Sequence, residues 1–211
     1  MTTQPLLILD RQHAGKRHHP TDMGAQADID QDGQVEAWER EADLTPVYGV
    51  ACADLVRARG VECQIIDPAG AGRRADYSER HAQAREIASH RRGPIAYAAM
   101  HLNAGGGSYG LVGYDPRSQS GRQLAEAIGA GLESIPVLSG VHVVALERQW
   151  SRGIGTIRGI YSGPTNICGV LLEPLFLDCP EHQAYIVDGG LAAVGQAIGR
   201  GVLDYFEQAN A

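Results

Sequence analysis

The sequence predicts an α/β fold, a single domain with a central, mostly parallel or mixed sheet of about six strands and helices on both faces. Three observations carry this expectation. Short apolar runs alternate with segments whose apolar residues recur at helical spacing. The runs are apolar on both sides of the pleat, as buried parallel strands require. Glycine is abundant, at 27 of 211 residues, which suits tight connections and closely packed layers.

Composition narrows the function. With 44% hydrophobic residues the chain can bury a full core, and no linker, repeat or low-complexity stretch divides residues 1–211. The net charge of -7 excludes the broad basic footprint of a nucleic-acid binder. It also argues against attachment to an anionic membrane surface, and no apolar run approaches the length of a membrane span. Met1 to Pro5 has neither a basic n-region nor an apolar h-region, so synthesis in the cytoplasm without a signal peptide is expected. No protein partner is expected either.

The first strand is Leu6–Leu9, ending at Asp10. Residues 11–39 are polar and irregular, too long for an idle connection. A helix follows, with Asp43 as N-cap, Pro46 in its first turn, Leu44, Val47, Tyr48, Ala51 and Leu55 as its apolar stripe, and Gly60 as its stop. Val61–Ile66 is the second strand, ended by Asp67-Pro68. After a loop at 69–75, a helix over about 76–92 turns Tyr77, Ala84, Ile87 and Ala88 inward.

The run from Ile95 to Met100 is the third strand and delivers His101 at its end; Gly105-Gly106-Gly107 then rims a cleft. Tyr109–Tyr114 is the fourth strand, a helix carries Leu124, Ala125, Ile128, Leu132 and Ile135, and Val141–Leu146 is the fifth. Residues 148–165 read as loop or short hairpin. Ile167–Leu172 is the sixth strand and ends at Glu173. The tail, 181–206, is helical and broken at Gly189-Gly190. Cys52, Cys63, Cys168 and Cys179 form no C-x-x-C pair and read as buried, reduced thiols.

In an open α/β sheet, ligands bind beyond the carboxyl ends of the strands. That rule selects His13 after strand one, Glu41 near the start of the next helix, His101 after strand three and Glu173 after strand six. Two histidines and one carboxylate with an open fourth position form a catalytic zinc arrangement, and the remaining carboxylate is then a general base. His18, His19, His81, His90 and His182 read as surface residues, and His142 as one that packs. The residues alone point to metal-assisted amide hydrolysis.

The blocks Asp10-Arg11-Gln12-His13-Ala14-Gly15, Glu41-Ala42-Asp43-Leu44, Met100-His101-Leu102-Asn103-Ala104 and Val170-Leu171-Leu172-Glu173-Pro174-Leu175-Phe176-Leu177 resemble the zinc-dependent N-acetylmuramoyl-L-alanine amidases of bacterial autolysins and phage endolysins. The blocks run in the family's order over most of the chain. Gln12 and Ala14 stand where the pattern has glycines, Met100 where it has serine and Leu175 where it has a late glycine. The resemblance implies that His13, Glu41 and His101 bind zinc and that Glu173 is the catalytic acid/base. It implies peptidoglycan as substrate, cut between N-acetylmuramic acid and L-alanine. The expected lack of a signal peptide and of a separate wall-binding domain fits a phage endolysin that reaches the cell wall after phage-mediated release. A zinc carboxypeptidase or another amidohydrolase would use a similar ligand set, and a calcium-dependent binding module with vestigial zinc ligands is the alternative from another class.

Residues Asp28 to Glu39 match a calcium loop of the EF-hand type. Asp28, Asp30 and Asp32 hold positions one, three and five, Gly33 the sharp turn, Gln34 the backbone-carbonyl position and Glu39 the twelfth. No helix is expected before it, so the expectation is an isolated calcium loop inserted at about 28–39 whose ordering fixes Glu41.

Overall fold

The structure is a computed structural model that describes residues 4–13, 21–66, 77–147, 151–161 and 167–209. Six strands, β1 (Leu6–Arg11), β2 (Glu62–Ile66), β3 (Ile95–Met100), β4 (Gly110–Tyr114), β5 (Val141–Ala145) and β6 (Ile167–Glu173), form one sheet in the order β2-β1-β3-β6-β4-β5. The pairs β2-β1, β1-β3, β3-β6 and β4-β5 are parallel, and β4-β6 is antiparallel, so the sheet is mixed.

Strand alternation divides the core. Leu7 and Leu9, Ala96, Ala98 and Met100, and Val170 and Leu172 face α1 (Glu41–Ala58), α3 (Gln119–Leu132) and α7 (Leu191–Ala209). Leu6 and Ile8, Tyr97 and Ala99, and Leu171 face α2 (Tyr77–Ser89) and the short helices α4 (Ser151–Ile154) and α5 (Arg158–Tyr161). The remaining helix, α6 (Pro180–Val187), is separated from α7 by Gly189 in the left-handed region at φ 81°, as expected for that break. No helix among the described residues is long and apolar enough to cross a membrane. All four cysteines are buried thiols.

Several local expectations need correction. Helix α1 starts at Glu41, and its N-cap is Arg40, which makes no side-chain cap, so Asp43 lies inside the first turn. The helix begins early because Glu41 and Ala42 donate their backbone N–H groups to Ala25 and Met23 carbonyls, a tertiary cap. Pro46 has no N–H for the Ala42 carbonyl, and the Arg11 guanidinium donates to that carbonyl instead, at 2.6 Å. Val47 is exposed, and the buried face runs through Leu44, Tyr48, Cys52, Ala53 and Val56. Within 148–165 the described residues form α4 and α5 rather than a hairpin. His81 and His182 are buried, each held by backbone groups. His142 is exposed and stacks on Tyr109. The loop at 69–75, Asp67-Pro68, His18 and His19 lie outside the described residues.

Glycines let α7 settle between α1 and α3. A Cβ on Gly195 would sit 2.1 Å from the Tyr48 carbonyl oxygen of α1, and one on Gly201 would sit 2.5 Å from the Ala127 carbonyl oxygen of α3. Helix propensity alone favours alanine over glycine by roughly 1 kcal/mol. Backbone cannot yield as a flexible side chain does, so overpacking wins here. Gly195→Ala is expected to lower stability by about 1–3 kcal/mol in urea unfolding. An unchanged or raised midpoint would show that α1 and α7 are not locked by this approach.

Candidate metal centre and catalytic carboxylate

The register of three parallel strands sets the site. Arg11 pairs with Met100, and Met100 with Leu172. The next residues, Gln12, His101 and Glu173, therefore stand side by side at the carboxyl ends of β1, β3 and β6. The His101 N–H donates to the Leu172 carbonyl at 2.9 Å, which continues the ladder one step past β3. His13 follows Gln12, and Glu41 opens α1 above the same edge.

His13, Glu41 and His101 converge. His13 Nε2 lies 3.2 Å from Glu41 Oε1, His101 Nδ1 lies 2.9 Å from Glu41 Oε1, and the two ring nitrogens are 3.0 Å apart. A tetrahedral zinc ion bound at about 2.0–2.1 Å keeps its N and O donors roughly 3.3 Å from one another. The trio needs to open by only a few tenths of an ångström, and its donor chemistry fits zinc. Among the described residues, this is the histidine-containing group able to hold a metal ion.

Each donor is oriented from behind. Asp22 Oδ1 faces His13 Nδ1 at 3.3 Å, a carboxylate–histidine pair that leaves Nε2 for a metal. Glu41 Oε2 accepts the Ala25 N–H at 2.7 Å, and Oε1 accepts the Leu102 N–H at 3.0 Å. Tyr48 donates its hydroxyl to the His101 carbonyl at 3.0 Å. Gly24 turns at φ 77° directly over Glu41, and a Cβ there would sit 2.3 Å from Glu41 Oε2. Asp22, Gly24 and Gln12 escape sequence reading. Their partners lie on other segments, and the available signal is the glycine itself and the unusual Gln12 beside a ligand.

The two carboxyls are driven in opposite directions. Burial raises the Glu41 carboxyl, but hydrogen bonds from His101 and His13, and their charge, outweigh it and hold Glu41 well below its ordinary value. Burial pushes Glu173 up to about 7, and the Glu41 charge adds to the rise. Asn103 Nδ2 donates to Glu173 Oε2 at 2.8 Å, and Asn103 is itself fixed by backbone bonds to Leu175 and Leu177. A carboxyl near neutrality beside an ionised one is the division of labour that acid–base chemistry needs.

The calcium-loop residues also cluster. Asp28, Asp30 and Asp32 form one group, and Asp30, Glu36 and Glu39 another. Asp28 accepts the N–H groups of Asp32 and Gly33, and Asp32 that of Gln34. Glu39 is fully buried and accepts backbone N–H groups from Ile29, Asp30 and Glu36. Glu39 is followed, two residues on, by Glu41.

No protein-family model matches the chain, and no curated protein matches it. Solved structures do. The fold is shared with solved N-acetylmuramoyl-L-alanine amidases, among other structures. Cwp6 from Clostridium difficile superimposes with a TM-score of 0.69 at 19% identity over 95% of this chain, which spans 29% of that protein. The N-acetylmuramoyl-L-alanine amidase AmiC2 of Nostoc punctiforme gives 0.65 at 19% identity, covering 96% of this chain and 97% of that one. The catalytic domain of the CD27L endolysin, which targets Clostridia difficile, gives 0.63 at 19% identity over 95% and 97%.

The raised Glu173 carboxyl has a consequence for stability. Burial favours its neutral form, so its contribution is complete below its ordinary value of 4.5 and is lost as pH rises through about 7. In metal-free protein, Glu173→Gln is expected to raise the melting temperature by a few degrees at about pH 8 and to leave it unchanged at about pH 5. Equal melting temperatures at both values would place Glu173 in water.

Proposed function

We propose that the chain is a zinc-dependent N-acetylmuramoyl-L-alanine amidase that hydrolyses the bond between N-acetylmuramic acid and L-alanine in peptidoglycan. The observation that carries the reading is the convergence of His13 Nε2, Glu41 Oε1 and His101 Nδ1 beside the raised carboxyl of Glu173. The amidase fold supports the choice of substrate.

His13, Glu41 and His101 would hold the zinc ion, which when bound polarises the scissile carbonyl and acidifies water. Glu173 takes a proton from the attacking water onto its carboxylate and passes it to the nitrogen of the leaving L-alanine. Its raised carboxyl suits both halves of that transfer near neutral pH. Asn103 holds one carboxylate oxygen and limits rotation of the group. Glu41 stays ionised as a ligand because its histidine partners and its place at the N-terminus of α1 favour the anion.

Metal and product analysis test the reading. The purified protein is expected to carry about one zinc per chain, lost in His101→Ala. Glu173→Gln should keep the zinc and lose activity by at least about a hundredfold. Digested wall should show new L-alanine amino termini and no new reducing sugar ends. Other new termini would favour a carboxypeptidase or a different amidohydrolase, and calcium without zinc would favour a binding module. Release as a phage endolysin is part of the proposal, supported by the likeness to CD27L. It requires that the protein lyse cells made from within only when a membrane-permeabilising component is present.

We also propose calcium for the loop from Asp28 to Glu39. Support comes from Asp28, Asp30 and Asp32 at positions one, three and five, the Gln34 carbonyl position and the twelfth-position Glu39. The segment leads straight into α1, and Gln26 bridges to Arg40. Calcium would hold this segment and with it the Glu41 carboxylate. A chelator selective for calcium should then lower both melting temperature and activity; no change in either would remove calcium from the account.

A further inference from the structure

Gln12 occupies a position where the amidase pattern has glycine, and it is fully buried. A buried primary amide costs stability unless every polar atom finds a partner. Gln12 Nε2 lies 2.9 Å from Asp10 Oδ2, 3.0 Å from the Tyr97 hydroxyl and 3.0 Å from the Thr156 carbonyl. Gln12 Oε1 lies 3.0 Å from His101 Nε2.

These neighbours decide which way round the amide sits. The Thr156 carbonyl can only accept. Asp10 Oδ2 belongs to a carboxylate paired with the buried Arg80 guanidinium at 3.2 Å, and it too accepts. The Tyr97 hydroxyl donates to that same Asp10 oxygen, so toward Gln12 it accepts. A flipped amide would set Oε1 against acceptors on every side. Oε1 therefore faces His101 and can only accept there. An Nε2–H of His101 is the donor that this acceptor fits, and Nδ1 is then the ring nitrogen left facing His13 Nε2 at 3.0 Å and Glu41 Oε1 at 2.9 Å, contacts that a cation held between them would satisfy.

We infer that Gln12 is a positioning residue of the metal site, locking His101 in the Nε2–H tautomer so that Nδ1 is presented to the ion. The inference deepens the zinc reading and rests on it for the identity of the metal. The lock is held from α2 and from the turn between α4 and α5. Arg80 and His81 lie on α2, and His81 Nε2 donates at 2.7 Å to the same Thr156 carbonyl that Gln12 uses. Nitrogen-15 NMR of histidine-labelled, zinc-loaded wild type reads directly which nitrogen of His101 carries the proton and which faces the metal. His101 is expected in the Nε2–H form, and an Nδ1–H form would overturn the inference even if no variant folds.

Gln12→Met fills the space without an acceptor. It is expected to mix the two tautomers and to weaken zinc binding about 10- to 100-fold in chelator competition. Tyr97→Phe disturbs the same network but spares Oε1, and should keep both the tautomer and the zinc affinity of wild type. Unchanged zinc affinity in Gln12→Met, or an equal loss in Tyr97→Phe, would reduce Gln12 to a packing residue. Wild type that binds no zinc would sink the functional reading and the inference with it, whereas zinc bound through His101 Nε2 would sink the inference and leave the functional reading standing.

Discussion

Register between β1, β3 and β6 is the constraint from which the site follows. Parallel pairing places Asp10, Ala99 and Leu171 on one level and Arg11, Met100 and Leu172 on the next. The level after these carries Gln12, His101 and Glu173. A slip of one residue would turn each side chain to the opposite face, exchanging Met100 for His101 in the apolar core. That core fixes the register strongly, because both faces of all three strands are buried. Chemistry at the edge therefore inherits its geometry from hydrophobic packing several residues away. The antiparallel β4 completes the arrangement, since Leu111 near its start pairs with Glu173 and flanks the carboxylate.

Glu41 is the proposed ligand that register does not supply. It arrives on a different layer and is tied down by backbone on both sides. Ala25, from the segment before α1, donates to one carboxylate oxygen, and Leu102, the residue after His101, donates to the other. The second of these bonds links two ligands through a single peptide unit. Glu41 and Glu173 then diverge electrostatically for local reasons. Glu41 has histidine donors that outweigh its burial, whereas Glu173 has burial and a neighbouring anion working in one direction. Two carboxyls of the same type are thus driven in opposite directions by their tertiary surroundings.

Much of this was legible in the sequence because strand ends advertise themselves. An apolar run stopping at His101 or Glu173 marks both the strand and the edge, and His13 and Glu41 follow from their place after β1 and at the next helix. What was not legible depends on long-range partners. The start of α1 is fixed by Ala25 and Met23 carbonyls rather than by an N-cap side chain, so the Asp43 signal misled. Pro46 is tolerated because Arg11 serves the carbonyl it leaves open. His81 and His182 look like surface residues on polar helices, yet tertiary backbone partners make them core residues. The residues behind the ligands, Asp22 and Gln12, have the same character.

Three of the four departures from the amidase pattern, Met100, Leu175 and Gln12, are buried, and the chain accommodates each within its own packing, while Ala14 lies outside the described residues. Met100 replaces serine, and its sulfur occupies space that only a glycine on α1 leaves open; a Cβ on Gly49 would lie 2.7 Å from Met100 Sδ. Leu175 replaces glycine and is fully buried in the core shared with α1 and α7. Gln12 replaces glycine and joins a hydrogen-bonded chain that runs from Arg80 through Asp10 to His101. The first two trade small or polar groups for apolar volume, and the third trades backbone freedom for a directed acceptor. Only the third touches a ligand. A chain that diverges at these three buried positions, yet keeps His13, Glu41, His101 and Glu173, holds the proposed donor set within packing of its own.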